Sequence, residues 1–292
     1  MPEGDSIYRA AKRVNQALAG KVLDRAELRV PRFAAVDLRG RTVGSAQSRG
    51  KHLFVVVGPD DRGRDPVTLH VHLKMEGRIH IHQAGDRWRF PAHTARLILG
   101  AGDIEVVGTE LGLLRALDPA EADRAVEHLG PDLLGPDWDP DASVAEVVHR
   151  ISQRPDRTIG EALLDQRNLA GIGTVYRAEL CFLRGLDPRE PVEAVPDLRA
   201  VVVLARRLLV ANADRSTRVT TGDTRPGRSL WVYGRGGKPC RRCGTLVETF
   251  RLGGNADPDE PSDSLDRIAF HCPSCQPTRA TLGSPPPSEE NQ

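Results

Sequence analysis

Apolar residues recur at helical spacing over residues 4–19, where Ile7, Ala10, Ala11, Val14 and Leu18 fall on one face. The spacing predicts an amphipathic helix with Glu3 and Asp5 at its N-terminal end, where carboxylates complement the helix dipole. From about residue 22 to 117 the pattern changes to short runs: Val22–Val30, His52–Val57, Val67–Leu73, Arg78–His82, Ala95–Leu99 and Ile104–Val107. Their Gly-, Asp- and Pro-rich punctuation predicts antiparallel strands in a β-sandwich or barrel. Asp118–Asp141, rich in Asp and Pro, reads as a linker. Beyond it, Val144–Ile151, Ile159–Gln166, Val175–Arg184 and Asp197–Asn212 read as helices. The loop from Gln166 to Thr174 carries two glycines that allow a tight turn, and amides at the following helix start can hold a phosphate. Pro277–Gln292 reads as a disordered tail.

At 292 residues the chain suits two domains plus a small module. It has no apolar run near the length of a membrane span and no signal-peptide pattern, so the expectation is a cytoplasmic protein that neither crosses a membrane nor is secreted. The net charge of +1 hides a strong asymmetry. Residues 1–100 hold 18 Lys and Arg against 10 Asp and Glu, and residues 201–253 hold 11 against 3. Residues 101–150 reverse this, with 3 against 12. Two basic blocks separated by acidic segments suggest a cleft with walls from different domains, a charge pattern that steers polyanions.

Two motifs carry chemistry. Pro2 follows the initiator methionine, and once Met1 is removed it presents a secondary amine, which can attack a sugar aldehyde carbon and form an iminium. An α-amino group has an unperturbed pKa of about 7.7–8.0, so much of it is free base near neutrality. A solvent-exposed chain end is the ordinary alternative. At the other end, Cys240-Arg-Arg-Cys243 is answered by Cys272-Pro-Ser-Cys275. Such knuckles can place four thiolates around one structural Zn²⁺. The 28 residues between them imply a long hairpin loop around Asn255–Ser264. Two disulfides or a redox pair fit less well, since Cys181, the remaining cysteine, sits in an apolar helical stretch and a redox pair needs no twin. His70, His72, His80 and His82 alternate on two presumed neighbouring strands and raise a second, weaker metal-face reading against packing or DNA contact.

Taken together, Pro2-Glu3-Gly4-Asp5, Ser48-Arg-Gly-Lys51-His52-Leu53, His72-Leu73-Lys74-Met75-Glu76-Gly77, Asn168-Leu-Ala-Gly-Ile-Gly-Thr174, Tyr233-Gly-Arg235 and the cysteine hairpin with Arg267 resemble the formamidopyrimidine-DNA glycosylase and endonuclease VIII family. The resemblance spans roughly residues 2–276 and leans to the endonuclease VIII type. It implies an α+β multidomain fold: an N-terminal helix on an antiparallel β-sandwich (2–118), a linker (119–141), a helix–two-turn–helix domain (142–235) and a zinc-finger hairpin (236–276), ahead of the tail (277–292). It implies a bifunctional DNA glycosylase and abasic-site lyase of base excision repair, acting as a monomer on damaged double-stranded DNA, with single-stranded or bubble DNA as further candidates.

The same resemblance assigns roles. Pro2 is the nucleophile, Glu3 the general acid–base and Lys51 the lysine that assists β-elimination. Arg267 contacts phosphates near the lesion and assists δ-elimination. Lys74 and Met75 stand at the wedge position, which fills the space vacated when a base leaves the stack. Asn168 and Thr174 bracket the phosphate-gripping loop, though many relatives carry Asn in place of Thr174, and His128 stands where some carry a DNA-binding arginine. Glu-Gly-Asp after Pro2 and the short stretch Ser216–Leu230 favour oxidised pyrimidines as substrates. Oxidised purines are the first alternative, and a damage-binding protein without catalysis is the second.

Overall fold

A computed structural model describes residues 2–59, 63–253 and 267–278. The chain divides into two compact units, residues 1–138 with 209–216, and residues 139–208 with 217–292.

In the first unit, helix α1 (Gly4–Leu18) buries Ile7, Ala11, Val14, Ala17 and Leu18. This is the stripe its periodicity marks, extended by Ala17, while Ala10 is only half-buried. The strands are β1 (Arg25–Leu28), β2 (Val43–Arg49), β3 (His52–Val57), β4 (Val67–His72), β5 (Arg78–Gln83), β6 (Ala95–Ala101), β7 (Ile104–Thr109) and β8 (Leu113–Leu117). They form two antiparallel four-stranded sheets, in the orders β2-β3-β4-β8 and β1-β6-β7-β5. Apolar residues of α1 and of both sheets close one core, including Val14, Leu53, Leu69, Val71, Leu97 and Leu99.

Three differences from the sequence reading have physical causes. The first strand is shorter than Val22–Val30, because Val22 makes only an isolated bridge to Thr42 and Asp24 turns its carboxylate to the Gly102 amide at 2.7 Å. Strand β2 is additional. Its Ser45, Gln47, Ser48 and Arg49 give no apolar run, and pairing with β3 through a bulge after Val43 holds it in place. The histidine face is overturned: His70 and His72 lie on β4 in one sheet, His80 and His82 on β5 in the other. The connection Leu73–Gly77 crosses between sheets, so the two pairs do not share a face. His70 stacks on Phe54 at 4.7 Å, while His80 packs on Phe90 at 4.4 Å. Among the described residues, the four cysteines are the only cluster that could hold a metal ion.

Helix α2 (Pro119–Arg124) occupies part of the expected linker, started by a reciprocal capping box between Asp118 and Glu121. The second unit contains α3 (Ala142–Ser152), α4 (Ile159–Ala162), α5 (Thr174–Arg184) and the first part of α6 (Leu198–Asn212). Helix α4 is one turn rather than Ile159–Gln166, because the Asp165 carboxylate takes the Arg167 amide at 3.0 Å and turns the chain into a loop. Gly185, at φ +64°, ends α5 in the left-handed conformation. Strands β9 (Glu248–Leu252) and β10 (Arg267–His271) pair antiparallel. The expected loop at Asn255–Ser264 and residues 279–292 of the expected tail lie outside the described residues. No helix among the described residues is long and apolar enough to cross a membrane.

Candidate active site and metal centre

Pro2 is half-buried at the start of α1 and lines a cavity together with Leu73 and Gly77, the ends of the turn that carries Lys74 and Met75. Glu3 occupies the position just before α1 with extended backbone, its carbonyl accepting from the Ser6 and Ile7 amides. Its side chain is fully buried and makes no capping hydrogen bond to the helix.

Lys51 sits in the two-residue turn between β2 and β3. The turn needs its glycine: Gly50 stands at φ +55°, a conformation open to residues without a Cβ. The Gly50 amide donates to Asp132 Oδ2 at 2.9 Å, and Asp132 also accepts from the Leu134 amide at 2.9 Å. Burial pushes the Asp132 carboxyl above its ordinary value, against the pull of those two amides. Asp132 therefore fixes the backbone that presents Lys51. Sequence reasoning missed it, although it falls in the Gly130-Pro-Asp132 run.

The register His52↔His72 places the Lys51 turn and the Lys74 turn at the same end of one sheet. His52 Nδ1 and His70 Nε2 are 2.8 Å apart, and the Lys74 amide donates to His72 Nδ1 at 2.9 Å. Burial above all, then neighbouring cations, pushes His52 down to about 3 and His70 and His72 to about 4. All three are neutral at physiological pH, which keeps His72 Nδ1 available as an acceptor. Lys74 adopts φ +50°, rare for a residue with a side chain, and its stem lies where a Cβ on Gly112 would stand. Met75 is 54% exposed and is not a core methionine. His128 is exposed in the turn after α2, near enough to His52 to disfavour its protonation.

In the second unit, the loop before α5 is braced from inside. Gln166 Nε2 donates to the carbonyls of Leu164 at 2.7 Å and Ile172 at 3.0 Å, while its Oε1 accepts from Gly171 at 3.1 Å. Asn168 Nδ2 donates to the Ala162 carbonyl at 2.9 Å, so this side-chain nitrogen holds the loop's shape. Thr174 is buried as the first residue of α5.

Two buried charges on α5 escaped the sequence reading. The Glu179 carboxylate accepts from the amides of Trp231 at 2.8 Å and of Val232 and Tyr233 at 3.0 Å each, and from Thr220 Oγ1. It ties the Tyr233-Gly-Arg235 segment to the helix. Arg177, fully buried, donates through Nη2 to the Ile268 carbonyl at 2.8 Å and so fixes β10 beside Arg267. Their signal was two opposite charges, Arg177 and Glu179, inside an otherwise apolar helical run.

The four cysteine sulfurs lie within 4.8 Å of one another, with Cys240–Cys275 at 4.0 Å and Cys243–Cys272 at 3.5 Å. A tetrahedral thiolate site with metal–sulfur bonds of about 2.3 Å has edges of about 3.8 Å, so the donor set fits. The Arg242 amide points at Cys240 Sγ at 3.4 Å, and Gly244 closes the first knuckle at φ +83°. The second knuckle is held by the Cys275 and Gln276 amides on the Cys272 carbonyl. Cys181 stands apart, fully buried, with burial pushing its thiol up to about 12. Arg267 opens β10, half-buried and opposite Leu252.

Residues 1–107 match the formamidopyrimidine-DNA glycosylase N-terminal domain family. The chain is 48% identical over 279 residues to a probable endonuclease 8 2 of Streptomyces coelicolor, covering 94% of each chain. It is 45% identical over 276 residues to the DNA-(apurinic or apyrimidinic site) lyase Nei2 of Mycolicibacterium smegmatis, covering 94% of this chain and 99% of that one. Its fold matches the structure of MutM in complex with DNA containing carbocyclic 8-oxo-G, with a TM-score of 0.73 at 18% identity, covering 95% of this chain and all of that one.

Proposed function

We propose, from the premise that this chain belongs to the formamidopyrimidine-DNA glycosylase and endonuclease VIII family, how its residues carry out glycosylase and abasic-site lyase chemistry in base excision repair. The observation that carries the reading is Pro2 lining a cavity with a fully buried Glu3 next to it in the chain. The Pro2 amine attacks C1′ of the damaged nucleotide, and the bond from C1′ to the base breaks. Glu3 moves the proton that lets the base leave or the sugar ring open, a step worth roughly 10²–10⁴-fold. The resulting iminium acidifies the adjacent sugar carbon. Elimination of the 3′ phosphate follows, assisted by Lys51 on its Asp132-braced turn.

Lys74 and Met75 enter the duplex where the nucleotide leaves it. His128, Asn168 and Thr174 are assigned to the DNA backbone, Thr174 through its segment's amides. Arg267 holds phosphates and assists the second, δ-elimination. The four cysteines are assigned to one structural zinc ion, which when bound fixes the hairpin arms that present Arg267. The substrate is damaged DNA, and the favoured lesions are oxidised pyrimidines, on the strength of Glu3-Gly4-Asp5 and the short segment Ser216–Leu230.

Borohydride reduction during turnover of an abasic oligonucleotide tests the core of this reading. It should leave a covalent adduct whose peptide map ends at Pro2. Retaining Met1, or extending the amino terminus, should abolish the adduct. An undiminished adduct with a blocked terminus would transfer the nucleophile's role to a lysine.

A further inference from the structure

His52, His70 and His72 share one face of the sheet beside the Lys51 turn. His52 opens β3, His72 closes β4, and the register sets them opposite each other. His70 stands two residues back on β4, opposite Phe54 and therefore on the same face. The alternate residues Leu53, Val55, Leu69 and Val71 belong to the core on the other side. His70 is 2% exposed, and its ring lies on Phe54 at 4.7 Å with an interplanar angle of 12°. The mechanism proposed above uses neither His52 nor His70.

The hydrogen-bond pattern decides where the protons sit. His52 Nδ1 and His70 Nε2 are 2.8 Å apart, so one donates and the other accepts. His70 Nδ1 is buried and has no hydrogen-bond partner among the described residues. A proton there would be an orphaned buried N–H, the rarer kind of unpaired group, so the proton belongs on Nε2. His70 therefore donates and His52 Nδ1 accepts. A neutral imidazole carries one N–H, which for His52 is then at Nε2. His52 is only partly buried, and its Nε2 has no hydrogen-bond partner among the described residues.

We infer that His70 is a positioning residue that fixes the tautomer of His52, and that His52 Nε2–H donates to a phosphate of the DNA strand beside Lys51. The inference rests on the proposed function, since it takes the ligand to be DNA. The surroundings suit an anion. Lys51 and His128 bear electrostatically on His52, Lys51 and Lys74 on His72, and Arg115 on His70. A group that can only donate needs an acceptor, and phosphate oxygens are the acceptors such a basic setting attracts. A further positive charge would be repelled by its neighbours, whereas a neutral N–H adds a hydrogen bond to the anion without adding charge. Counterion release counts neutralising cations, so this contact should add affinity without adding salt dependence.

Two measurements test this. Nitrogen-15 NMR of the free wild-type protein should find His52 protonated at Nε2, and a proton at Nδ1 would overturn the inference. The second is binding of an oligonucleotide with a tetrahydrofuran abasic analogue over a series of salt concentrations. His52→Phe keeps a ring and loses the N–H. It should weaken binding about tenfold, with the slope of log affinity against log salt unchanged. His52→Gln keeps a donor near the Nε2 position and should recover most of that loss. His70→Phe should let His52 exchange between tautomers and cost a smaller part of the affinity, which His70→Gln, with its amide donor, should restore. Wild-type affinity in His52→Phe would overturn the inference, as would equal losses in His52→Phe and His52→Gln. A slope flattened by about one unit would make His52 a cationic contact and overturn it too. Wild-type protein that neither binds nor cleaves abasic DNA would instead remove the proposed function itself, and with it the ligand assumed here.

Discussion

Around Pro2, α1 and two four-stranded sheets bury a continuous apolar cluster that includes Ile7, Val14, Leu53, Leu69 and Leu99. Around Arg267 the buried cluster is far smaller: Ala178, Phe182, Val232 and Val247, closed by the cysteines Cys240 and Cys272. What the second region lacks in apolar area it makes up in polar connections. Arg177, Glu179, Asp187 and Gln276 are each fully buried there, and each has a hydrogen-bonded partner. Apolar burial is non-directional and tolerates small shifts. Buried charges and thiolates depend on every partner being in place. The proposed nucleophile thus stands on a support that folding alone can supply, and the proposed phosphate clamp on one that needs its metal and its network.

The largest effect expected from this contrast is chemical. Glu3→Gln keeps the side chain's size in its buried position and removes its charge and its role as a proton donor and acceptor. Base excision should fall by about 10²–10⁴-fold in single-turnover assays, with affinity for an uncleavable abasic analogue nearly unchanged. If excision proceeded at the wild-type rate, Glu3 would have no catalytic part. Next comes the hairpin. Cys240→Ser or Cys272→Ser, or exhaustive chelation, should release about one zinc per chain and weaken DNA binding by about tenfold or more, while the sandwich keeps its own cooperative thermal transition. Freshly purified, reduced protein with no bound metal in elemental analysis would remove the metal from the comparison.

Arg267→Ala should act more narrowly. Products should shift from δ- toward β-elimination, and the slope of log affinity against log salt should flatten by about one unit for the lost phosphate contact. An unchanged product ratio would separate Arg267 from the second elimination. The smallest effect concerns acid. His52, His70 and His72 titrate well below the unfolded value of 6.5, so the unfolded chain binds more protons between pH 6.5 and about 3–4. Their stabilising contribution is complete above pH 6.5 and is lost as pH falls through that window. The sandwich transition should drop by roughly 4–8 °C across its upper part, and His70→Phe, which can stack on Phe54 without titrating, should reduce the slope. A transition insensitive to pH there would contradict the neutral histidine cluster.

How much of this was legible beforehand depends on where the information lay. Helix α1 was legible because Ile7, Ala11, Val14 and Leu18 report a local period. The cysteine centre was legible because each knuckle is local and the metal's donor set is short. Strand β2 was hidden because its residues are polar and only its neighbour makes it a strand. The histidine face failed for a related reason: alternation identifies strands but not the sheet each joins, and the Leu73–Gly77 crossing decides that. The Asp132 bond to Gly50 spans 82 residues, and no local pattern encodes such a contact. Arg177 and Glu179 left a trace, since charges in an apolar helix call for partners, yet only the fold says that those partners are β10 and the Trp231–Tyr233 segment.

The turn between β4 and β5 has a consequence for how such a protein can diversify. Its shape is set by the Gly77 amide on the Leu73 carbonyl at 3.0 Å, by His72 beneath the Lys74 amide, and by the lack of room at Gly77, where a Cβ would come within 2.4 Å of that carbonyl. None of these constraints uses the side chains of Met75 or Glu76, which project from it exposed. Form and cargo are therefore encoded in separate residues. A lineage, or a laboratory library, can exchange the two tip side chains to suit a different duplex distortion without renegotiating the backbone. The same lineage cannot replace Gly77 or His72 without losing the mount itself.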